Sequence, residues 1–97
     1  MAVKVDYRQE LRGRLPELHA RYGVKRLFLF GSRARGDAQA ESDLDLLVEF
    51  ERAPTLFDLV RLEQELADDL GIRVQVVTPG AIKSPLRSAV ERDLVEV

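Results

Sequence analysis

Two apolar runs, Val24 to Phe30 and Leu44 to Phe50, border a Gly31-Ser32 pair and an Asp43-Leu44-Asp45 triplet, and no other stretch restricts the chain as much. The unbroken Leu27-Phe28-Leu29-Phe30 predicts a buried strand, and the pattern from Asp43 onward predicts another. Side chains in a strand alternate, so Asp43 and Asp45 project to one face. Two carboxylates held side by side are a ligand pair for a divalent cation. The Gly-Ser pair stands where the first strand stops, so its N–H groups and the Ser32 hydroxyl are placed to receive phosphate oxygens. A phosphate cradle beside metal-binding carboxylates points to nucleotide chemistry.

The rest of the chain supplies a frame for these residues. Asp6 can cap a first helix running to about Tyr22, with Leu11, Leu15, Leu18 and Tyr22 at helical spacing. Pro16 predicts a kink or a late start, and Gly23 an end. Gly31 to Gly36 holds only a short helical turn, Asp37 to Glu41 is a polar loop, and Asp43 to Phe50 is a strand whose Leu44, Leu46 and Val48 face away from Asp43, Asp45 and Leu47. Thr55 and Asp58 form a capping-box-like start for a helix whose buried side reads Leu56, Leu59, Leu62, Leu66 and Leu70, ending at Gly71. Ile72 to Val77 is a third strand, Thr78-Pro79-Gly80 a turn, and Ser84-Pro85 opens a last helix carrying Leu86, Ala89, Val90 and Leu94. Alternating strands and helices predict an α/β fold, a small β-sheet with helices packed on it, as a single domain over residues 1–97.

Composition removes several classes of function. A chain of 97 residues buries one modest core, so a large substrate must be met by a partner or on a shared surface. The net charge of −2 gives no bulk attraction to nucleic acid or anionic lipid, and direct nucleic-acid binding is not expected. With no cysteine there is no disulfide, thiolate zinc site or cysteine nucleophile. No signal-peptide core or membrane-length apolar run occurs, so a cytoplasmic location is expected.

The run Gly31-Ser32-Arg33-Ala34-Arg35-Gly36-Asp37, followed after four residues by Ser42-Asp43-Leu44-Asp45-Leu46-Leu47-Val48, resembles the signature of the DNA polymerase β-like nucleotidyltransferases. Its Gly-Ser-x-Ala-Arg-Gly form and the chain length are similar to the minimal nucleotidyltransferase antitoxins, partners of HEPN-type toxins. The likeness extends over nearly the whole chain, including Leu56 to Val60 and Val76 to Gly80. It implies a small mixed β-sheet for the fold and in-line attack on the α-phosphate of a nucleoside triphosphate, with ATP as substrate, Mg²⁺ as cofactor and a hydroxyl of a HEPN-type toxin as acceptor of AMP. On that resemblance Asp43 and Asp45 are the catalytic metal ligands, bridging two ions about 3.5–4 Å apart. Gly31 and Ser32 grip the terminal phosphates, and Arg35, with Arg33 beside it, neutralises phosphate charge.

Plainer roles stand beside these. Two aspartates at a strand start can simply solubilise a sheet end, and Ser32 can be a turn-capping hydroxyl. Arg33 and Arg35 can pair with Asp37 or Glu41 or meet a protein partner. Ser42 reads as a loop hydroxyl orienting Asp43, Glu49 as a solvated strand end, and His19 as a surface or packing residue. Glu63, Gln64, Asp68 and Asp69 read as the solvated face of the long helix.

One position departs from the family pattern. Relatives bring a third carboxylate from a neighbouring strand, where this chain reads Val74-Gln75-Val76-Val77. Gln75 has an amide oxygen that can coordinate Mg²⁺ but adds no charge and cannot take a proton from an acceptor hydroxyl. Asp37 or Glu41 would be the substitutes in reach of sequence. The expected function is therefore an antitoxin that adenylylates its toxin, with the alternative of a nucleotide-binding module that neutralises the toxin by masking it.

Overall fold

The computed structural model describes residues 6–39, 41–81 and 84–97. Helix α1 spans Tyr7–Tyr22, strand β1 Val24–Phe30, helix α2 Ser32–Arg35, strand β2 Leu44–Phe50, helix α3 Leu56–Leu70, strand β3 Val74–Val77, helix α4 Ser84–Asp93 and strand β4 Val95–Glu96, with a 3₁₀ turn at Pro79–Ala81. The four strands form one mixed sheet in the order β3-β2-β1-β4. β1 is antiparallel to β2 and β4, whereas β2 and β3 run parallel through the α3 crossover.

Asp6 accepts a hydrogen bond from Gln9 N–H to cap α1, and Gly23 closes it in the left-handed region at φ 73°. Pro16 lies inside the helix, which begins at Tyr7, so of the two expectations, a kink or a late start, the late start is not met. The proline ring forfeits one backbone hydrogen bond, but Leu11 and Leu18 on either side are buried and hold both halves against the sheet.

The core joins Leu11 and Leu18 of α1, Val24, Leu27 and Leu29 of β1, Leu44, Leu46 and Val48 of β2, Leu62 and Leu66 of α3, Val74 and Val76 of β3, and Val97. These strand residues share one face, which α1 and α3 cover. The opposite face is only partly covered. There Phe28 and Phe30 are half-buried, so β1 is not the fully enclosed strand its apolar run implies. Leu47 is an exception on that face at 6% exposure.

On α3 the Thr55–Asp58 capping box is complete, each side chain bonding the other's backbone N–H. The predicted apolar stripe holds at Leu62 and Leu66, with Leu59 and Leu70 half-buried, and fails at Leu56, which is 75% exposed. A 15-residue helix is about 22 Å long, whereas the four-residue β3 on which it packs covers about 13 Å, so the first turn has no strand beneath it. Phe57, at 82% exposure, shares that overhang. The third strand is two residues shorter at its start than expected, and β4 is an element the sequence pattern did not mark. The Leu86 and Ala89 side chains expected on the buried side of α4 lie outside the described residues.

Candidate active site

The open face of the sheet carries a transverse row, Phe30 on β1, Asp45 on β2 and Gln75 on β3, paired in register. Asp43 precedes Asp45 by two residues and faces the same way, just before the hydrogen bond from Leu44 N–H to the Arg73 carbonyl at 2.9 Å. Burial, and then the nearby Asp43 charge, raise the Asp45 pKa above the ordinary carboxylate value, while Arg35 pulls it back. Two carboxylates thus converge in a partly desolvated place, an unfavourable arrangement for a bare pair and a favourable one for a pair sharing a cation.

Gly31 sits directly against this pair. Its φ of 76° and ψ of −156° belong to a region essentially restricted to glycine. A Cβ at this position would lie 2.5 Å from Asp45 Oδ2. The glycine therefore permits both the sharp turn out of β1 and the contact between that turn and the carboxylate. Gly31 also starts α2, its carbonyl accepting from Ala34 and Arg35 N–H at 3.1 Å, so Ser32 opens the helix one residue after the turn that meets Asp45.

The two arginines of the turn have separate partners. Arg33 donates to the Ser42 carbonyl at 2.9 Å and to the Gln39 carbonyl at 3.3 Å, and its guanidinium lies 5.0 Å from the Tyr7 ring centroid. It fastens the loop after α2 and docks it to α1, a role the sequence did not distinguish from phosphate binding. Arg35 is held by Asp37 and Asp93 and keeps the rim of the carboxylate site. Its charge is shared with those two carboxylates and still reaches Asp45, whose pKa it lowers. Ser42 accepts from Gln39 N–H at 2.8 Å through its hydroxyl, closing the loop on itself instead of orienting Asp43.

Other sequence expectations resolve plainly. His19 donates from Nδ1 to the Val24 carbonyl at 3.0 Å, a packing role at the α1–β1 junction. Glu63 is not part of a solvated face, for its carboxylate accepts from Val76 N–H at 2.7 Å and so satisfies edge strand β3. Asp69 is exposed, as expected of that face, with Arg14 at 3.7 Å. Glu49 pairs with Arg26 at 3.6 Å and stands away from the acidic pair. A shallow groove of about 530 Å³ lies at the other end of β2, where Glu49 and Glu51 share the lining with Lys25 and Arg52, so its charges are mixed and it is separate from the Asp43–Asp45 pair.

Gln75 is exposed and adjacent to Asp45 across the β2–β3 ladder. Among the described residues no three acidic or histidine side chains gather into a metal-binding group. The residues present still fit a hard divalent ion: two carboxylates plus an amide oxygen form an all-oxygen set that leaves positions for water and phosphate.

A profile of the nucleotidyltransferase domain matches residues 8–96. The chain belongs to the nucleotidyltransferase family. It is 42% identical over 81 residues to the protein adenylyltransferase MntA of Thermococcus cleftensis, covering 84% of this chain and 82% of that one. A solved structure provisionally described as a minimal nucleotidyltransferase superposes with a TM-score of 0.76 at 40% identity, covering 99% of this nucleotidyltransferase and 100% of that chain. The fold also recurs, at a TM-score of 0.67 and 20% identity, in the complex of a tri-AMPylated Shewanella oneidensis HEPN toxin with its MNT antitoxin, covering 92% of this chain and 70% of that one. No helix among the described residues is long and apolar enough to cross a membrane.

Proposed function

We propose that this nucleotidyltransferase is the antitoxin of a HEPN-type toxin and transfers AMP from ATP onto a hydroxyl of that toxin. The observation carrying the reading is the Gly31 turn packed against Asp45, with Asp43 beside it, in a chain 42% identical to a protein adenylyltransferase. Asp43 and Asp45 would hold Mg²⁺, which supplies charge stabilisation on the phosphate oxygens during in-line displacement. Ser32 offers its hydroxyl and amide to the terminal phosphates, and Gly31 allows the phosphate chain to approach the backbone closely. Arg35 directs N–H donors at the same oxygens. The toxin hydroxyl oxygen bonds to the α-phosphorus as its proton passes to solvent, the bond from the α-phosphorus to the oxygen bridging to the β-phosphate breaks, and pyrophosphate leaves with that oxygen. Gln75 contributes an amide oxygen but no charge to this arrangement, and the whole reaction is assigned to one minimal domain in the cytoplasm.

A second reading has its own support. With Gln75 where relatives are expected to place a carboxylate, nucleotide binding can outlast transfer, and the chain would then neutralise its toxin by covering it. Incubating the protein with its HEPN-type neighbour, Mg²⁺ and ATP, then weighing the neighbour as an intact protein, separates the two. Added AMP groups establish transfer. An unmodified neighbour that remains inhibited, even when Asp43 and Asp45 are both alanine, establishes masking.

A further inference from the structure

Arg35 is bound on two edges by carboxylates from different parts of the chain. Its Nη1 donates to Asp93 Oδ2 at 2.7 Å and its Nε to Asp37 Oδ2 at 3.2 Å. Asp37 is a near neighbour and 63% exposed, but Asp93 stands 58 residues away at the end of α4 and is only 18% exposed. One carboxylate would balance the guanidinium, so the second is a matter of geometry. A guanidinium presents five N–H donors in a rigid plane. With Nε and one Nη1 hydrogen engaged, no acceptor among the described residues takes the two Nη2 hydrogens or the remaining Nη1 hydrogen, and two anchors fix the direction in which that edge points.

We propose that Asp93 is a positioning residue: through Arg35 it presents a fixed edge of N–H donors to the phosphate chain of a nucleotide held at Asp43 and Asp45. This rests on the nucleotide-binding reading of the site. The clamp has a second effect of the same sign. An Arg35 released from Asp93 is free to swing onto the Asp45 carboxylate, where it would compete with a divalent cation. Both effects act only through Arg35, and this separates positioning from a surface ion pair that merely helps hold α4 in place.

The test is calorimetric titration of the full chain with ATP in the presence of Mg²⁺, without acceptor, on Asp93→Asn, Asp93→Glu, Arg35→Gln and Arg35→Gln/Asp93→Asn. Asp93→Asn is expected to weaken binding about tenfold, comparable to the loss of one charge-assisted hydrogen bond. Asp93→Glu should recover most of that loss, and the double variant should bind no more weakly than Arg35→Gln alone. Unchanged or tighter binding by Asp93→Asn overturns the proposal, as does a double variant whose loss is the product of the two single losses. Wild-type protein that binds no ATP with Mg²⁺ overturns the nucleotide reading itself and this inference with it. Binding by wild type with no effect at Asp93 overturns the inference alone.

Discussion

Burial and the Asp43 charge hold the Asp45 carboxyl above its ordinary range, so the native chain keeps that proton more tightly than the unfolded chain does. Its contribution to stability is full below the unfolded carboxylate value and falls as pH rises through the raised native one. In divalent-free buffer at neutral pH, Asp45→Asn should therefore melt higher than wild type. Adding Mg²⁺ should raise the wild-type melting temperature by binding the native state and leave the variant nearly unmoved. A wild-type melting curve indifferent to Mg²⁺ would count against a metal pair here. At Gly31, alanine meets both a disallowed φ and the Asp45 oxygen, and Gly31→Ala should lose about 1–3 kcal/mol in urea denaturation. Gln75→Asp should lower the urea midpoint in divalent-free buffer, because it sets a third negative charge across the ladder from Asp45, and Mg²⁺ should offset that loss. Under the transfer reading it should also increase AMP addition to the toxin, measured by intact mass. Asp43, Asp45 and Gly31 were legible in sequence because their spacing and strand context encode the geometry. The fastening role of Arg33 was not, since Tyr7 and the Ser42 carbonyl become its neighbours only after folding.

Within the elements, α3 shows how far periodicity reaches. Its start at Thr55 and stop at Gly71 follow from local chemistry, and both are readable without a fold. Leu56 fits the helical period and is exposed all the same, because period says which side of a helix is apolar and not how far the partner strand extends. Leu62→Ala or Leu66→Ala should cost about 2–5 kcal/mol, since both side chains are fully enclosed. Thr55→Ala should cost about 1 kcal/mol. Both are measurable as lowered urea midpoints. Hydrogen bonds from Thr55 depress the Asp58 pKa, so this cap favours the native state at neutral pH and is lost as pH falls through the depressed native value. Strand β4 left no mark in the sequence because two residues carry no period. It is placed by distant partners: Val97 N–H donates to the Leu27 carbonyl, while Arg8 and Arg12 donate to the Glu96 and Val97 carbonyls.

Across the whole chain, the sheet order sets what the site can be. Placing β2 between β1 and β3 puts Asp45 between Phe30 on one side and Gln75 on the other, so each flank of the carboxylate is governed by one residue on a different strand. The α/β class followed from alternating elements, and the mixed sheet from the resemblance to the nucleotidyltransferases. The Asp93–Arg35 contact did not, because nothing in either segment announces a partner at that distance. Phe30 is tied to a strand that also builds the core, whereas Gln75 points outward from an edge strand and supports no buried neighbour. In genetic terms the two flanks differ sharply. A single-base change turns a glutamine codon into a glutamate codon, and at this exposed position the change repacks no core residue, its cost being the added charge beside Asp45. On the proposed reading a lineage can cross between an uncharged and a charged third ligand in one step and cross back again, so that demand for the reaction, set against that charge cost, decides which form persists.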